Sequence, residues 1–530
     1  MTHDPGASKA STQASANLHQ QCRDLLSEVD EFQDLLRRTL RNPQLVEVRQ
    51  FRSSVNSELR MVEKLIENAR AEGAGTGGLG GEEVEEAEKR LLHVLRSSNL
   101  PFHQAVWGVV RSSCVGLVTL GRRVYWDDGN DARSRNMPPP KDKNGKKVTG
   151  KDKRKSVLVD VVADDGEEWV KVSTMSESRL LFEMAEKGWE RDSEDEFSDG
   201  EKAPRTVLRN FDDEDSDEED ELELIKLARG LRKAADATLV RYRHPRLRIV
   251  LPKIEEGNVP GIDEIVNEMR SYGVEVQCRN SLRESQQNPG LDALLPRPFK
   301  RFTPSLNVDC TLLLAAVSDL SHVKDIPVCP GYHRAVVRQI EGEKHMPLLP
   351  AELWPAMRNR ELLCTSDAAA RMLEIVNTIG TDTEKTRTKI LMGKPPYDQL
   401  DQESLIEEFQ KTSDHSVPNE WKLPIKVSDA QPAIDAAKAR KTLPPVAYEV
   451  SESLSDINHS VFMYGWATGI TTISSNRTID KQIENTIEKR RNGDRDLEGP
   501  NVWVCDTARS LVGRKRIAKN RHREHAAHPI

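Results

Sequence analysis

Ser305-Leu306-Asn307-Val308-Asp309-Cys310-Thr311 is the stretch on which the fold turns. A short strand-like run ends in an acid, and Leu312-Leu313-Leu314-Ala315-Ala316-Val317 follows at once as a buried helix. Such a run suits a strand covered on both faces, as in the parallel sheet of an α/β domain. In open α/β sheets, ligands bind beyond the carboxyl ends of the strands. Asp309 therefore either faces a site or caps the helix it precedes, and the two readings weigh equally on this fragment.

The alternation continues toward the C-terminus. Residues 361–365 read as a second strand, entering a helix with Asp367, Arg371 and Glu374 on its early turns. Glu384 and Arg387 stand on another helical segment, and residues 395–424 read as a long polar insertion. Leu454-Ser455-Asp456-Ile457-Asn458-His459-Ser460 opens a helix that runs to Thr468-Gly469. Ile470-Thr471-Thr472-Ile473 is the next strand and closes in Ser474-Ser475-Asn476-Arg477. A helix over 478–489 and a last strand over 502–505 complete the series.

This order of elements resembles the PIN-like nuclease superfamily. There an apolar strand ends in Asp, a later Asp opens a helix, and a small residue turns that helix into a strand closed by Thr-x-Asp or Ser-x-Asp. The corresponding residues here are Asp309, Asp456 and the Ser474-Ser475-Asn476 triplet. The whole layout is similar to the eukaryotic domain of unknown function 1308 family, whose C-terminal domain is PIN-like. The resemblance spans residues 300–513. It implies a PIN-like α/α/β sandwich with a mostly parallel sheet, and RNA as the usual substrate class, with single-stranded RNA the expected partner here.

The residues carry their own chemical logic. Carboxylates gathered at the ends of neighbouring parallel strands repel one another, and a hard divalent cation makes them tolerable together. Mg²⁺ or Mn²⁺ held there activates a water and stabilises a displaced phosphate oxygen. The candidate ligands are Asp309, Asp456, Asp367 and Asn476. The candidate catalytic acids are Asp309, Asp456 and Glu384. The second acid stays open among Asp367, Glu374 and Glu384, with Glu374 the weakest. Asn476 departs from the pattern, since an amide brings no charge and so weakens a cation site. A metal-dependent endoribonuclease and a degenerate relative that binds RNA without cutting are both compatible with these residues. No Gly-x-Ser-x-Gly elbow surrounds Ser318 to His322, and there is no phosphate-binding Gly-x4-Gly-Lys-Ser/Thr loop.

The N-terminal half reads as an α-rich region with a β-hairpin. Leu18, Cys22, Leu25, Leu26, Val29, Phe32, Leu35, Leu36 and Leu40 form one helical stripe. Val55, Leu59, Val62, Leu65 and Ile66 form a second, and Pro43 separates the two. This helical hairpin is expected to pack in a core or to dock a protein partner, which would make the chain a non-catalytic scaffold. Val157, Val159 and Val161 alternate, Asp165-Gly166 turns, and Trp169, Val170 and Val172 return. Strand, helix, strand follows over 247–278.

Charge divides the rest of the chain. Charged residues make up 31% and apolar ones 37% of the 530, whereas globular domains run to about 25% and 45–50%. Solvated tails and linkers account for the difference. The net charge of −8 excludes a whole-chain polyanion binder but permits local patches. A basic linker lies within 129–156, an acidic one within 191–221, and a basic tail at 514–530. The intervening segments are then 1–16 as a tail, 17–128 helical, 157–190 hairpin plus helix, 222–295 a small α/β region and 300–513 the PIN-like domain. Ser193, Ser198 and Ser216 precede acids at the spacing acidophilic kinases prefer, so the segment is either a constitutively solvated block or a site of regulated phosphorylation. Arg477, Arg514, Lys515, Arg516 and Lys519 are the candidate nucleic-acid contacts. Residues 1–16 lack an apolar core and no run reaches the roughly 20 residues of a membrane span. The expected location is cytoplasmic or nuclear, away from membranes. The seven cysteines are scattered and read as buried reduced thiols.

Overall fold

The computed structural model describes residues 7–40, 42–75, 89, 92–126, 155–188, 221–284, 289–328, 332–505, 507 and 509–512. Residues 129–154 of the basic linker, residues 191–220 with Ser193, Ser198 and Ser216, and the tail with Arg514, Lys515, Arg516 and Lys519 lie outside them, whereas Lys155 and Ser156, expected in the linker, open a strand. Two units divide the chain: residues 1–240 with 244–297, and residues 241–243 with 298–530. Among the described residues, no helix is long and apolar enough to cross a membrane. The six described cysteines are buried and unpaired.

Unit 1 is a mixed sheet with helices. Its strands are β1 (Thr119–Trp126), β2 (Lys155–Ala163), β3 (Glu168–Val172), β4 (Arg246–Leu251) and β5 (Val274–Cys278), side by side in chain order. The β1/β2 and β2/β3 pairs are antiparallel, and the β3/β4 and β4/β5 pairs are parallel. The expected hairpin is thus β2 and β3, and the expected strand–helix–strand is β4 and β5. One sheet joins two segments that the sequence reading separated. β1 was not expected at all.

Helices α1 (Ala7–Thr39), α2 (Arg49–Gly75) and α3 (Leu100–Ser113) share a core with that sheet. Cys22, Val29, Phe32 and Leu36 of the first stripe are buried there with Val161, Val170 and Val250. The stripe's apolar face is therefore packed inside the unit, the core role expected of it. Helices α4 (Glu177–Glu186), α5 (Glu223–Asp236) and α6 (Pro260–Ser271) pack with Trp169, Leu247, Ile249 and Leu251. On β4, Leu247, Ile249 and Leu251 join one core and Val250 the other, as a period of two requires.

Unit 2 holds an all-parallel five-stranded sheet flanked by helices. Its strands are β6 (Ser305–Val308), β7 (Glu361–Thr365), β8 (Lys426–Ser428), β9 (Thr471–Ser474) and β10 (Val502–Val504), in the order β10-β9-β6-β7-β8. Its helices are α7 (Cys310–Val317), α8 (Arg334–His345), α9 (Ser366–Ile379), α10 (Asp382–Leu391), α11 (Gln402–Gln410), α12 (Ala430–Arg440), α13 (Val446–Ser453) and α14 (Arg477–Arg490). Residues 456–468 are helical around a π turn, His459–Met463. The expected polar insertion contains α11, whose Leu405, Ile406 and Phe409 are buried.

Local chemistry explains several of these elements. Leu312, Leu313, Ala315 and Ala316 bury most of α7, so the helix is apolar nearly all round. Thr381 and Glu384 form a reciprocal capping box that starts α10. Gly465 lies directly against β9: a Cβ there would overlap Thr472 Oγ1. Thr472 Oγ1 is itself held by Asn307 Nδ2 of β6, at 3.0 Å.

Candidate functional site at the carboxyl edge of the parallel sheet

The strand order makes the site. From β6 the chain crosses to β7 on one side, continues to β8, and then returns to β9 on the other side of β6. The reversal lies between β6 and β9, and a crevice at the carboxyl ends of two such strands is where open α/β sheets bind ligands. Val308 pairs with Ile473, so Asp309 and Ser474 come next to each other at that edge.

Asp309 is 3% exposed. Its backbone N–H donates to Ile473 O at 3.0 Å, which extends the ladder by one bond. Its side chain does not cap α7. Instead Oδ2 accepts the hydroxyls of Thr311 and Ser474, each at 2.6 Å. Those hydroxyls accept in turn from the loop: Ser475 N–H donates to Thr311 Oγ1 at 3.1 Å and Asn476 N–H to Ser474 Oγ at 2.9 Å. Burial raises the Asp309 pKa, and the Ser474 and Thr311 hydroxyls oppose that rise. The carboxylate thus pins the β9–α14 loop to the β6–α7 corner.

Asn476 serves the next element. Its Oδ1 accepts Ile479 N–H at 3.3 Å and caps α14. Its Nδ2 donates to Asn458 Oδ1 at 3.4 Å, and Asn458 Nδ2 donates to Ser455 Oγ at 2.8 Å. The amide therefore braces the start of the 456–468 helix against the edge. Asp456 is exposed at that start. Asp367 is exposed in the first turn of α9, just past the end of β7. His459 pairs through Nε2 with Ser451 Oγ at 2.8 Å, and burial lowers its pKa.

Asp309, Asp367 and Asn476 thus follow the carboxyl ends of three neighbouring strands, as their motifs suggested, and Asn476 ties in the segment of Asp456. Among the described residues, however, no three His, Cys, Asp or Glu side chains come together as a group that could hold a metal ion. Mg²⁺ and Mn²⁺ need several convergent oxygens. The residues at this edge do not fit such a centre: its one buried carboxylate is engaged by two hydroxyls, and its amide oxygen caps a helix.

Glu384 belongs to a different cluster. It is fully buried. Its Oε2 accepts Thr381 N–H at 2.9 Å, and its Oε1 accepts Asp319 N–H and Val512 N–H, both at 3.1 Å. Burial raises its pKa, and the Thr381 amide is the strongest opposing influence. Beside it, Arg387 is 1% exposed and donates to Asp319 Oδ1 at 2.7 Å, to Val317 O at 3.1 Å and, through Nη2, to Thr412 O. Thr381 and Thr383 hydroxyls complete Asp319, each at 2.6 Å. Both oxygens of Glu384 accept from backbone amides, so the carboxylate fastens three chain segments together. The sequence signal for this was present: Thr381-x-x-Glu384 is a capping-box spacing. Glu374 pairs with Arg371 on the exposed face of α9.

Arg477 opens α14 and lies at one end of a shallow hollow along that helix. Thr478, Lys481, Gln482, Asn485, Thr486 and Lys489 line the rest. Sequence reasoning singled out Arg477 but not Lys481 or Lys489, although residues four and eight apart share a helix face.

A family model described as Protein of unknown function (DUF1308) matches residues 306–411. That stretch runs from β6 to the end of α11 and includes Asp309, Asp367 and Glu384, while Asp456, Asn476 and α14 lie beyond it. No curated protein and no solved structure matches the chain.

Proposed function

We propose that unit 2 is a PIN-like module that binds single-stranded RNA and does not cut it. The observation that carries this reading is the strip leading from the β6–β9 crevice along α14, where Arg477, Lys481 and Lys489 line one hollow without an acid in its wall. Lys481 also pairs with Glu484 at 2.6 Å, so the strip is moderately rather than strongly basic. Among the described residues no aromatic ring lines it, so recognition is read as of the phosphate backbone rather than by stacking. Binding of that kind is tolerant of sequence and sensitive to salt. Three phosphate contacts to a single strand give a log–log salt slope of about −2. The crevice contributes the side-chain amides of Asn458 and Asn476, which suit sugar and phosphate oxygens.

The carboxylates described above support the non-cutting reading. Glu384 is engaged by three amides, Asp309 by two hydroxyls, and Asn476 brings no charge. The test uses a fluorescent oligo(U) strand and the full chain, with and without Mn²⁺ or Mg²⁺. Saturable binding without cleavage is expected, weakened at least tenfold in the R477E/K481E/K489E variant. Cleavage that disappears in the D309N/D456N variant would make the domain a nuclease. Absence of any RNA binding would overturn the RNA reading altogether.

A further inference from the structure

Unit 1 contains a basic groove of its own. Trp126, Lys155, Lys226, Arg229 and Lys233 line it, with Glu221 on its rim. Trp126 ends β1 and Lys155 opens β2, and the two are cross-strand partners. Lys226, Arg229 and Lys233 recur at intervals of three and four, so they share one face of α5. Gly230 of that helix lies beneath the indole: a Cβ there would stand 3.7 Å from it. Arg229 pairs with Glu221. Lys155, Lys226, Arg229 and Lys233 thus gather in a groove partly walled by an aromatic ring, and such a wall focuses the field that attracts anions.

The chain supplies an anion at the same place. Residues 189–220 hold fifteen Asp and Glu against four Lys and Arg. Eight of those acids fall in the nine residues 212–220, which run straight into Glu221. The segment departs after Gly188 and returns at Glu221. Lys187 Nζ donates to Glu221 O at 2.6 Å, so its two ends are held together beside the groove. Nine residues reach about 30 Å when extended. The basic face of α5 between residues 226 and 233 is only about 10 Å long. A tether this short sets an effective concentration on the order of millimolar.

We propose that the acidic segment 212–220 is the ligand of this groove, bound within the same chain, and that phosphorylation of Ser216 tightens the contact. A phosphoserine adds about −1.5 to −2 charge and three acceptor oxygens. The charge blocks of the sequence then form a matched pair: a basic groove and the acidic segment tethered at its rim. This inference is independent of the RNA reading of unit 2.

The test is competition between tethered and free segment. A fluorescent peptide of residues 209–221 is titrated into the full chain and into a full-length variant whose residues 189–220 are a Gly/Ser linker of equal length. The linker variant is expected to bind the peptide at least tenfold more tightly than the intact chain, whose groove is already occupied. Binding to the linker variant should fall at least tenfold with K226E/K233E, fall with added salt, and rise several-fold when the peptide carries phosphoserine at 216. K226Q/K233Q, a milder change, keeps the measurement interpretable if the charge reversal unfolds α5. Equal binding by the intact and linker chains would overturn the proposal, as would binding indifferent to both α5 variants. If the peptide does not bind but oligo(U) does, and the α5 variants abolish it, the groove is a nucleic-acid surface and the proposal fails.

Discussion

The two sheets are each five-stranded, yet they handle buried charge and strand order differently. In unit 1 the strands lie in chain order, so no reversal opens a crevice at a carboxyl edge. Its buried polar groups brace the sheet from within. Asp160 accepts Lys171 Nζ at 2.9 Å and Val172 N–H at 2.8 Å, and Arg248 joins Glu168, Ser113 and Gln277. In unit 2 the order reverses between β6 and β9, and Asp309 stands at that reversal. The difference teaches that an acid at a strand end acquires functional meaning from topology. Asp160 and Asp309 are both buried carboxylates with raised pKa, but only one lies where the fold opens.

The largest effect is expected from the buried arginines. Arg387→Ala strands Asp319 and the Val317 and Thr412 carbonyls, a loss of about 3–5 kcal/mol for one partner of a buried pair. Arg248→Ala in unit 1 releases the Glu168, Ser113 and Gln277 side chains rather than backbone carbonyls and should cost less, about 1–3 kcal/mol. Urea unfolding of the two variants measures both. Equal losses would show that the two sheets carry buried charge in the same way.

Two helix glycines sharpen the comparison further. Gly465→Ala forces a Cβ into Thr472 Oγ1 and should destabilise by about 1–3 kcal/mol through overpacking. Gly230→Ala meets only the Trp126 ring at ordinary contact distance and should stabilise by about 0.5–1 kcal/mol, since Ala is the better helix former. The signs should be opposite in thermal or urea unfolding. A stabilising Gly465→Ala would mean that the helix stands farther from β9 than the packing requires.

Buried histidine gives a pH-dependent contrast. His322 is fully buried between Ser413 Oγ and Ala316 O, and burial, then Arg387, holds its pKa well below the ordinary value. A depressed native pKa means that the unfolded chain binds the proton first. Stability is therefore intact above about pH 6.5 and falls as pH drops below it, by up to about 1.4 kcal/mol per unit. The raised carboxyls of Asp309 and Glu384 act with opposite sign, because their native forms hold protons more tightly. Subtracting the His322→Gln profile from that of the wild type isolates the histidine. His103 of unit 1, less deeply buried and lowered by burial, should give a shallower difference on the same measurement. A flat difference for His322 would mean that its site admits the imidazolium.

Much of this was legible in particular residues. β6, β7, β9 and β10 are short runs that end where polar residues begin, and Asp309 marks the decisive end. β1 was hidden because Gly121, Arg122 and Arg123 interrupt its pattern and its outer face is exposed. β8 has three residues and lies at the sheet edge, too short for any period to register. The site was less legible than the fold. The sequence marks acids but not what occupies their lone pairs, so Glu384 resembled a catalytic acid while its oxygens fasten three amides. The partners of Asp309 are hydroxyls 2 and 165 residues away, a pairing set by β6–β9 register rather than by local spacing.

The smallest effect is expected where the comparison matters most for function. Asp309→Asn keeps an oxygen for the Thr311 and Ser474 hydroxyls and removes a charge that burial already disfavours, so stability should change by less than about 1 kcal/mol. Asp160→Asn in unit 1 should cost more, about 1–3 kcal/mol, because it breaks the pair with Lys171 and leaves the ammonium without its carboxylate. If Asp309 organises the crevice rather than performing chemistry, Asp309→Asn also leaves the affinity for oligo(U) unchanged. Asp309→Ala, which releases both hydroxyls and with them the Ser475 and Asn476 loop, should weaken it several-fold. Anisotropy titrations on the two variants separate charge from positioning. Weakening by Asn and Ala alike would mean that the carboxylate itself acts at the edge, and with it the case for a cation would return.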